Sequence, residues 1–132
     1  MLTTLRNPRY RLFFANSLCR DLGAVAFMVS NGWLALTLTD SAFWVGATAG
    51  AVGVGLTSFS VFGGVLADRL DRKRLLMGAQ VSMAVVGLGL AAVVATDRVE
   101  LWHLMVGGLL FGVVSAVELP SRNALTMDLV GR

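Results

Sequence analysis

The sequence predicts an all-α membrane protein, a polytopic bundle of four transmembrane helices. Hydrophobic residues make up 56% of the 132 positions and charged residues only 14%, against about 25% charged in an average soluble domain. Four apolar runs are long enough to cross a bilayer, which takes about 20 residues. They are longer than the strands of a membrane barrel and do not alternate in polarity as such strands do. The predicted spans cover residues 12–38, 43–67, 75–96 and 101–119.

The basic residues predict the orientation of these spans. Nine of the eleven lie before the first run, between the second and third, or after the fourth; Arg98 lies on the opposite side and Arg20 within the first run. Because cytoplasmic loops are enriched in Lys and Arg, we expect the amino terminus to be cytoplasmic. The pI of about 10.0 is therefore a topology signal and does not indicate a nucleic-acid partner. The first run is too long for a secretory signal peptide.

Short connectors and glycines organise the spans. The outer connectors carry Asp40-Ser41 and Thr96-Asp97, which are turn and cap residues. The second run is rich in glycine, and Gly46-x-x-x-Gly50 has the spacing that lets membrane helices approach closely. Gly108-x-x-x-Gly112 in the fourth run has the same spacing. We therefore expect the second helix to pack tightly against another.

The connector between the second and third spans, residues 68–74, holds six charged residues among seven. Asp71 is suited to cap a helix that begins at about Arg72, because its carboxylate can accept from the free amides of the first turn. The basic residues lie at headgroup level, where they anchor the connector to the anionic inner leaflet. The segments outside the spans, residues 1–11 and 120–132, are expected to be cytoplasmic, the second as an amphipathic stretch along the membrane surface.

The first span carries a polar stripe on an apolar helix. Such a stripe is expected to face the interior of a bundle, and its members are Asn16, Arg20, Gly23, Phe27, Ser30 and Asn31. Arg20 and the neighbouring Asp21 are either coupling residues or a structural ion pair, and the sequence leaves both open. His103, near the outer end of the fourth span, is either a coupling residue, since histidine changes charge near neutral pH, or an interfacial one.

Enzymatic chemistry is not predicted. The chain has one His and one Cys, no spacing typical of metal ligands, no pairing of a nucleophile with a base and no phosphate-binding loop. We therefore expect no metal, no cofactor and no enzymatic activity.

Three stretches together resemble one transporter family. Residues 64–76 are similar to the G-x-L-A-D-R-x-G-R-K/R-x-x-L signature of the major facilitator superfamily, with Asp71 where the pattern prefers Gly. Residues 32–41 and 118–130 resemble the corresponding stretches of its drug:proton antiporter-3 branch. The signature belongs between the second and third spans on the cytoplasmic side, which is where the run lengths and charges put it here.

The resemblance implies a function and a set of site residues. It implies a proton-coupled exporter of small molecules in a bacterial-type inner membrane, working by alternating access. Asp68 would be the acid of a conformational latch, Arg72 its partner and Gly64 the contact point for an opposing helix. The charged connector as a whole would form the latch, through Gly64, Asp68, Arg69, Asp71, Arg72 and Lys73. The family often has an Arg in the fourth span where His103 stands here.

Chain length keeps other interpretations open. The family fold has twelve helices, so four are its first third, and we expect an amino-terminal fragment whose partners include the missing carboxy-terminal helices. A complete four-span protein of the small multidrug-resistance type, acting as a dimer, has a similar length but lacks a charged latch connector. A four-span membrane scaffold explains the helices but not the connector.

Overall fold

Four long helices account for almost all of the chain that the structure describes. The computed structural model describes the backbone of residues 8–69 and 71–130, and the side chains of residues 14–66, 69, 71 and 73–118. Each helix contains a stretch of at least 18 residues that is apolar enough to cross a membrane. This confirms the all-α fold class and the four spans. The helices are α1 (Pro8–Thr39), α2 (Ala42–Arg69), α3 (Arg72–Ala95) and α4 (Leu101–Val130).

The outer connectors are tight because an aspartate in each adopts a left-handed backbone conformation. Asp40, after α1, has φ 49°, and Asp97, after α3, has φ 52°. The Asp40 N–H donates to the carbonyl four residues earlier at 2.7 Å. After α3, the amides of Asp97 and Arg98 donate to the carbonyls of Val94 and Val93, at 3.0 and 3.3 Å. These are the bonds of a Schellman motif, with aspartate at the position where glycine is usual.

The closest packing is between α2 and α4 and is made by glycines. A Cβ added to Gly55 would lie 3.2 Å from the Cα of Gly112 and against the carbonyl of Leu109. A Cβ added to Gly112 would lie 2.9 Å from the Leu56 amide nitrogen and against the carbonyl of Val52. The two backbones are therefore in direct contact, as small residues allow in membrane helices. We call this contact, which also includes Gly63 and Gly108, the glycine seam.

The seam confirms part of the sequence prediction and corrects part. Gly108 and Gly112 do lie in a close helix contact, and the glycine-rich second helix is a partner in it. The prediction was wrong for Gly46 and Gly50, because an added Cβ at either would meet no described atom within 4 Å. The spacing of glycines shows which helices can pack closely, but not which face is used.

The fourth helix does not end where the apolar run ends. The stretch apolar enough to cross a membrane ends at Glu118, yet α4 continues through Pro120 to Val130. Proline has no amide N–H, so it cannot bond to the carbonyl four residues earlier, that of Ala116. Gly63 of α2 packs against this carbonyl, with an added Cβ 2.9 Å from the Ala116 carbonyl carbon. Membrane helices tolerate proline where a neighbouring helix covers the freed group.

The chain divides into two compact units within α1, Met1–Ser30 and Asn31–Arg132. The described part of the first unit is the helix up to Ser30. The second unit contains the last turns of α1 together with α2, α3 and α4, and in it α4 packs against both α2 and α3. Many large apolar side chains of the helices are exposed, among them Trp33, Val61, Val81 and Leu88. Such surfaces suit a lipid environment and not water.

Candidate functional site

The charged connector between α2 and α3 has the local structure that the sequence predicts. α2 ends at Arg69 and α3 begins at Arg72. Asp71 is the amino-terminal cap of α3: its carboxylate accepts a hydrogen bond from the Lys73 amide at 3.0 Å. This satisfies one of the amides left free at the start of a helix, and the negative charge suits the positive end of the helix dipole. The connector is therefore short and locally ordered at the start of α3.

Part of the predicted latch lies outside the described residues. The backbones of Asp68 and Arg72 are helical, but their side chains, and all of Leu70, are not described. The Asp68–Arg72 pairing therefore stays a prediction. Arg69 and Lys73 are exposed. Gly64 is half-exposed, and an added Cβ there would meet no described atom within 4 Å.

The two adjacent glycines at this end of α2 face different surroundings. Gly63 is buried against α4, whereas Gly64 is open. Successive residues of a helix point about 100° apart, and residues four apart share a face. The backbone positions of Gly64 and Asp68 therefore fall on one side of α2, and at Gly64 that side meets no described atom within 4 Å.

Asn31 is the centre of a buried polar junction among three helices. Its side chain is 3% exposed, and its Nδ2 donates to the carbonyl of Leu104 in α4 at 3.4 Å. Thr48 of α2 is also buried, and its hydroxyl donates to the Val45 carbonyl at 2.9 Å. A Cβ on Gly108 would lie 3.1 Å from the Thr48 carbonyl oxygen and 3.5 Å from Asn31 Nδ2. Because Gly108 has no side chain, there is room for the Asn31 amide between α2 and α4.

One atom of this junction is unsatisfied within the described part of the chain. The Oδ1 of Asn31 is buried and accepts no hydrogen bond from any described group. A buried polar atom without a partner costs free energy, about 1–3 kcal/mol. Asn31 lies eight residues from the outer end of α1, about 12 Å along the helix. A polar side chain buried at that depth of a membrane protein is a functional candidate by default.

Arg20 and Asp21, the two charged residues within the first span, form an ion pair. Arg20 Nη1 lies 2.9 Å from Asp21 Oδ1, and the two side chains are 17% and 50% exposed. The pair belongs to the first unit, as does Asn16, which is exposed. Asn31 belongs to the second unit, so the predicted stripe is divided between the two. The ion pair does not decide between a coupling role and a structural one.

His103 lies at the outer end of α4 and helps to begin the helix. Its Nδ1 accepts a hydrogen bond from the Glu100 amide at 3.1 Å, and its ring stacks on Trp102 with 3.7 Å between centroids. The Trp102 indole N–H in turn donates to Glu100 Oε2 at 2.8 Å. These contacts are those of an interfacial residue that caps a helix. A coupling role for His103 stays a prediction.

Glu118 is a candidate that the sequence analysis did not place among the site residues. It lies at the inner end of the spanning part of α4 and is only 2% exposed. An acidic side chain this deeply buried in a membrane helix indicates function by default. Its burial depends on how α4 packs, and so could not be read from one sequence. Its place within the fourth apolar run, two residues before Pro120, is the signal that the sequence carries.

Comparison with known proteins agrees with these observations. The transmembrane secretion effector family, a major facilitator family, matches residues 1–132, the whole chain. Macrolide efflux protein A of Enterococcus faecalis is 34% identical over 80 residues, which is 58% of this chain and 25% of that protein. The staphyloferrin A transporter of Staphylococcus aureus is 28% identical over 120 residues, 90% of this chain and 30% of that protein.

The similarity covers a minor part of each relative. The chain matches 25% of the enterococcal protein and 30% of the staphylococcal one. The macrolide efflux protein A of Streptococcus pyogenes is likewise 34% identical over 80 residues, 20% of its length. No solved structure matches the chain.

Proposed function

Because this chain belongs to the transmembrane secretion effector family of the major facilitator superfamily, we propose that it provides four helices of a proton-coupled exporter of small molecules. The chain is an integral membrane protein with four helices able to span a bilayer, and its family is one of transporters of the exporter kind. Proton coupling and the place of these helices as the first third of a twelve-helix fold are parts of the proposal. The relatives are bacterial, so the proposed location is a bacterial inner membrane.

One observation carries the proposal: the family match runs the whole length of the chain and includes the charged connector. A four-helix scaffold has no need of alternating Asp and Arg between α2 and α3. A dimeric exporter of the small multidrug-resistance type has no such connector either. The family match therefore favours a major facilitator exporter over both alternatives.

The connector acts as a conformational latch in this proposal. Gly64 and Asp68 are four residues apart on α2, and a further helix can approach the backbone closely at Gly64, where an added Cβ meets no described atom. Asp68 then bonds to Arg72 and to the positive end of that helix in one state, and releases both in the other. A charge-assisted hydrogen bond contributes about 1.5–3 kcal/mol, which is enough to shift a conformational equilibrium about tenfold or more.

Polar residues of α1 are the candidates for substrate binding and for proton coupling. Asn31 is held between α2 and α4, and its amide oxygen, which no described group bonds, is available to accept a hydrogen bond from a substrate. Arg20 and Asp21 are the candidates for proton coupling, because an intramembrane ion pair can be opened by protonating the acid. The family relatives are named for a macrolide and for staphyloferrin A, so organic molecules of that kind are the first substrates to test.

An accumulation assay tests the proposed function. The complete reading frame that contains this sequence is expressed in a bacterium lacking its own efflux pumps, which is then loaded with a macrolide, staphyloferrin A or a fluorescent dye. We expect lower accumulation of at least one compound than in cells with the empty vector. Collapse of the proton gradient by a protonophore should abolish the difference. Equal accumulation of all compounds, with the protein present in the membrane, would contradict the proposal.

A further inference from the structure

A pocket lies between α3 and α4 at their cytoplasmic ends, beside the charged connector. Its volume is about 400 Å³. Charged side chains of the connector line its mouth, while small and branched apolar residues of the two helices line the rest. The lining residues are Arg69, Asp71, Arg74, Leu75, Gly78, Ala79, Ser82, Val113, Val114 and Val117. Val113 and Val117 also contact the glycine seam through their backbone atoms.

The mouth of the pocket is positively charged. Arg69 and Arg74 line it from the end of α2 and the first turn of α3, with Asp71 between them in sequence. The Asp71 carboxylate is engaged in capping α3 through the Lys73 amide. No described carboxylate forms an ion pair with Arg69 or Arg74. The ion pair found among the described side chains is elsewhere, between Arg20 and Asp21 of α1. Among the described lining residues, two guanidinium groups and one carboxylate leave a net charge of +1.

The depth of the pocket is apolar. From Arg74 to Ser82 the lining extends eight residues along α3, about 12 Å, against about 15 Å for half of a bilayer's hydrocarbon core. Ser82 adds little polarity, because its hydroxyl donates to the Gly78 carbonyl at 2.9 Å. Gly78 is exposed, and a Cβ added there would meet no described atom within 4 Å. The groove therefore has room beside α3 for a flexible apolar chain.

We propose that this pocket binds one anionic phospholipid of the inner leaflet. The phosphate is held by Arg69 and Arg74, whose planar guanidinium groups match phosphate oxygens, and an acyl chain lies along Gly78, Ser82 and Val113. A lipid is favoured over any other occupant because its anionic headgroup and apolar chain are complementary to the pocket at the matching depths. The cationic mouth lies at headgroup level on the leaflet that carries anionic lipids, with an apolar groove directly beneath it. A net charge of +1 matches a single phosphodiester.

Titration with lipid in native mass spectrometry tests the proposal. The full 132-residue chain in detergent is titrated with phosphatidylglycerol, with the zwitterionic phosphatidylcholine and with inorganic phosphate. We expect one phosphatidylglycerol adduct at concentrations where phosphatidylcholine gives little, and no competition by inorganic phosphate. Each basic residue near an anionic lipid contributes about fivefold in affinity, so Arg69→Gln and Arg74→Gln should each weaken the adduct about fivefold.

Matched variants separate this site from general attraction to the membrane surface. Lys73→Gln removes the same charge from the same connector but lies outside the pocket lining, so it should change the affinity less than twofold. Gly78→Leu fills the groove and should abolish the adduct, whereas Gly89→Leu, on the same helix and equally open, should not. Equal binding of the two lipids, an effect of Lys73→Gln as large as that of Arg74→Gln, or an unchanged adduct in Gly78→Leu would each overturn the proposal.

A further measurement identifies the occupant in the membrane. A photoreactive residue at position 78 should crosslink to phospholipid in bacterial membranes. Crosslinking to polypeptide instead would show that another helix fills the pocket, and would also overturn the proposal. The site does not depend on transport, so these results stand apart from the accumulation assay.

Discussion

A methyl group added at the glycine seam should separate α2 from α4. The substitution is Gly55→Ala. Its Cβ would lie 3.0 Å from the Val113 nitrogen and 3.2 Å from the Gly112 Cα, and closer still to the Leu109 carbonyl oxygen. All three are backbone atoms, so no side-chain rotation can relieve the contact. Normal spacing, about 3.5–4.0 Å between carbons, returns only if the helices move apart by about 1 Å.

Two opposing effects set the change in the free energy of unfolding of Gly55→Ala. Overpacking by a methylene in a close contact costs about 1–3 kcal/mol, and a gap of 0.5–1 Å elsewhere along the seam forfeits about a quarter to a half of the dispersion attraction there. Alanine offsets part of this, because it favours a helix over glycine by about 1 kcal/mol. We expect Gly55→Ala to lower the free energy of unfolding by about 1–2 kcal/mol. Gly53→Ala should raise it by up to about 1 kcal/mol, since its Cβ meets nothing within 4 Å among the described atoms.

The two variants are compared by reversible unfolding in mixed detergent micelles, followed by circular dichroism. Each variant adds one methyl group to α2, and the two positions are two residues apart. Helix propensity is therefore matched, and only contact with the glycine seam distinguishes the variants. The expected difference between them is about 2–3 kcal/mol. Equal stability of Gly55→Ala and Gly53→Ala, or a more stable Gly55→Ala, would refute the close contact between α2 and α4.

Three further predictions use the same unfolding measurement. Asp97→Gly should stabilise the protein by about 1 kcal/mol, because Asp97 holds φ 52°, a conformation that glycine adopts at no steric cost; a loss of stability would contradict this. Asp71→Ala should destabilise it by about 1 kcal/mol through loss of the α3 cap, and Asp71→Ser should recover most of that; no rescue by Ser would argue against a capping role. Asn31→Ala should change stability by less than about 1 kcal/mol, since it removes a weak hydrogen bond and an unsatisfied oxygen together, yet should reduce transport; normal transport would exclude Asn31 from the pathway.

Features encoded within a few residues could be predicted from the sequence. The four spans follow from the length of the apolar runs, and Asp71 as the cap of α3 follows from its place before Arg72. The turn residues Asp40 and Asp97 were identified as such, because short polar side chains tolerate the left-handed conformation that ends a helix. In each case the physical cause lies in the local chain.

Features that depend on which helix faces which could not be predicted. The glycine spacing pointed equally to Gly46 and to Gly108, and only the second lies in a close contact. The hydrogen bond from Asn31 to the Leu104 carbonyl joins residues 73 positions apart, so the sequence near either residue does not predict it. The burial of Glu118 likewise depends on the packing of α4.

The most direct test of the account is transport by a protein whose latch acid has lost its charge. Inside-out membrane vesicles carrying the wild-type protein, Asp68→Asn or the control Asp97→Asn are energised with a proton gradient, and the initial rate of substrate accumulation is measured at equal protein content. Loss of a charge-assisted hydrogen bond of about 1.5–3 kcal/mol predicts that Asp68→Asn lowers the rate by at least about tenfold. The rate of Asp97→Asn should be unchanged. Equal rates for Asp68→Asn and the wild type would contradict the claim that this connector controls an exporter.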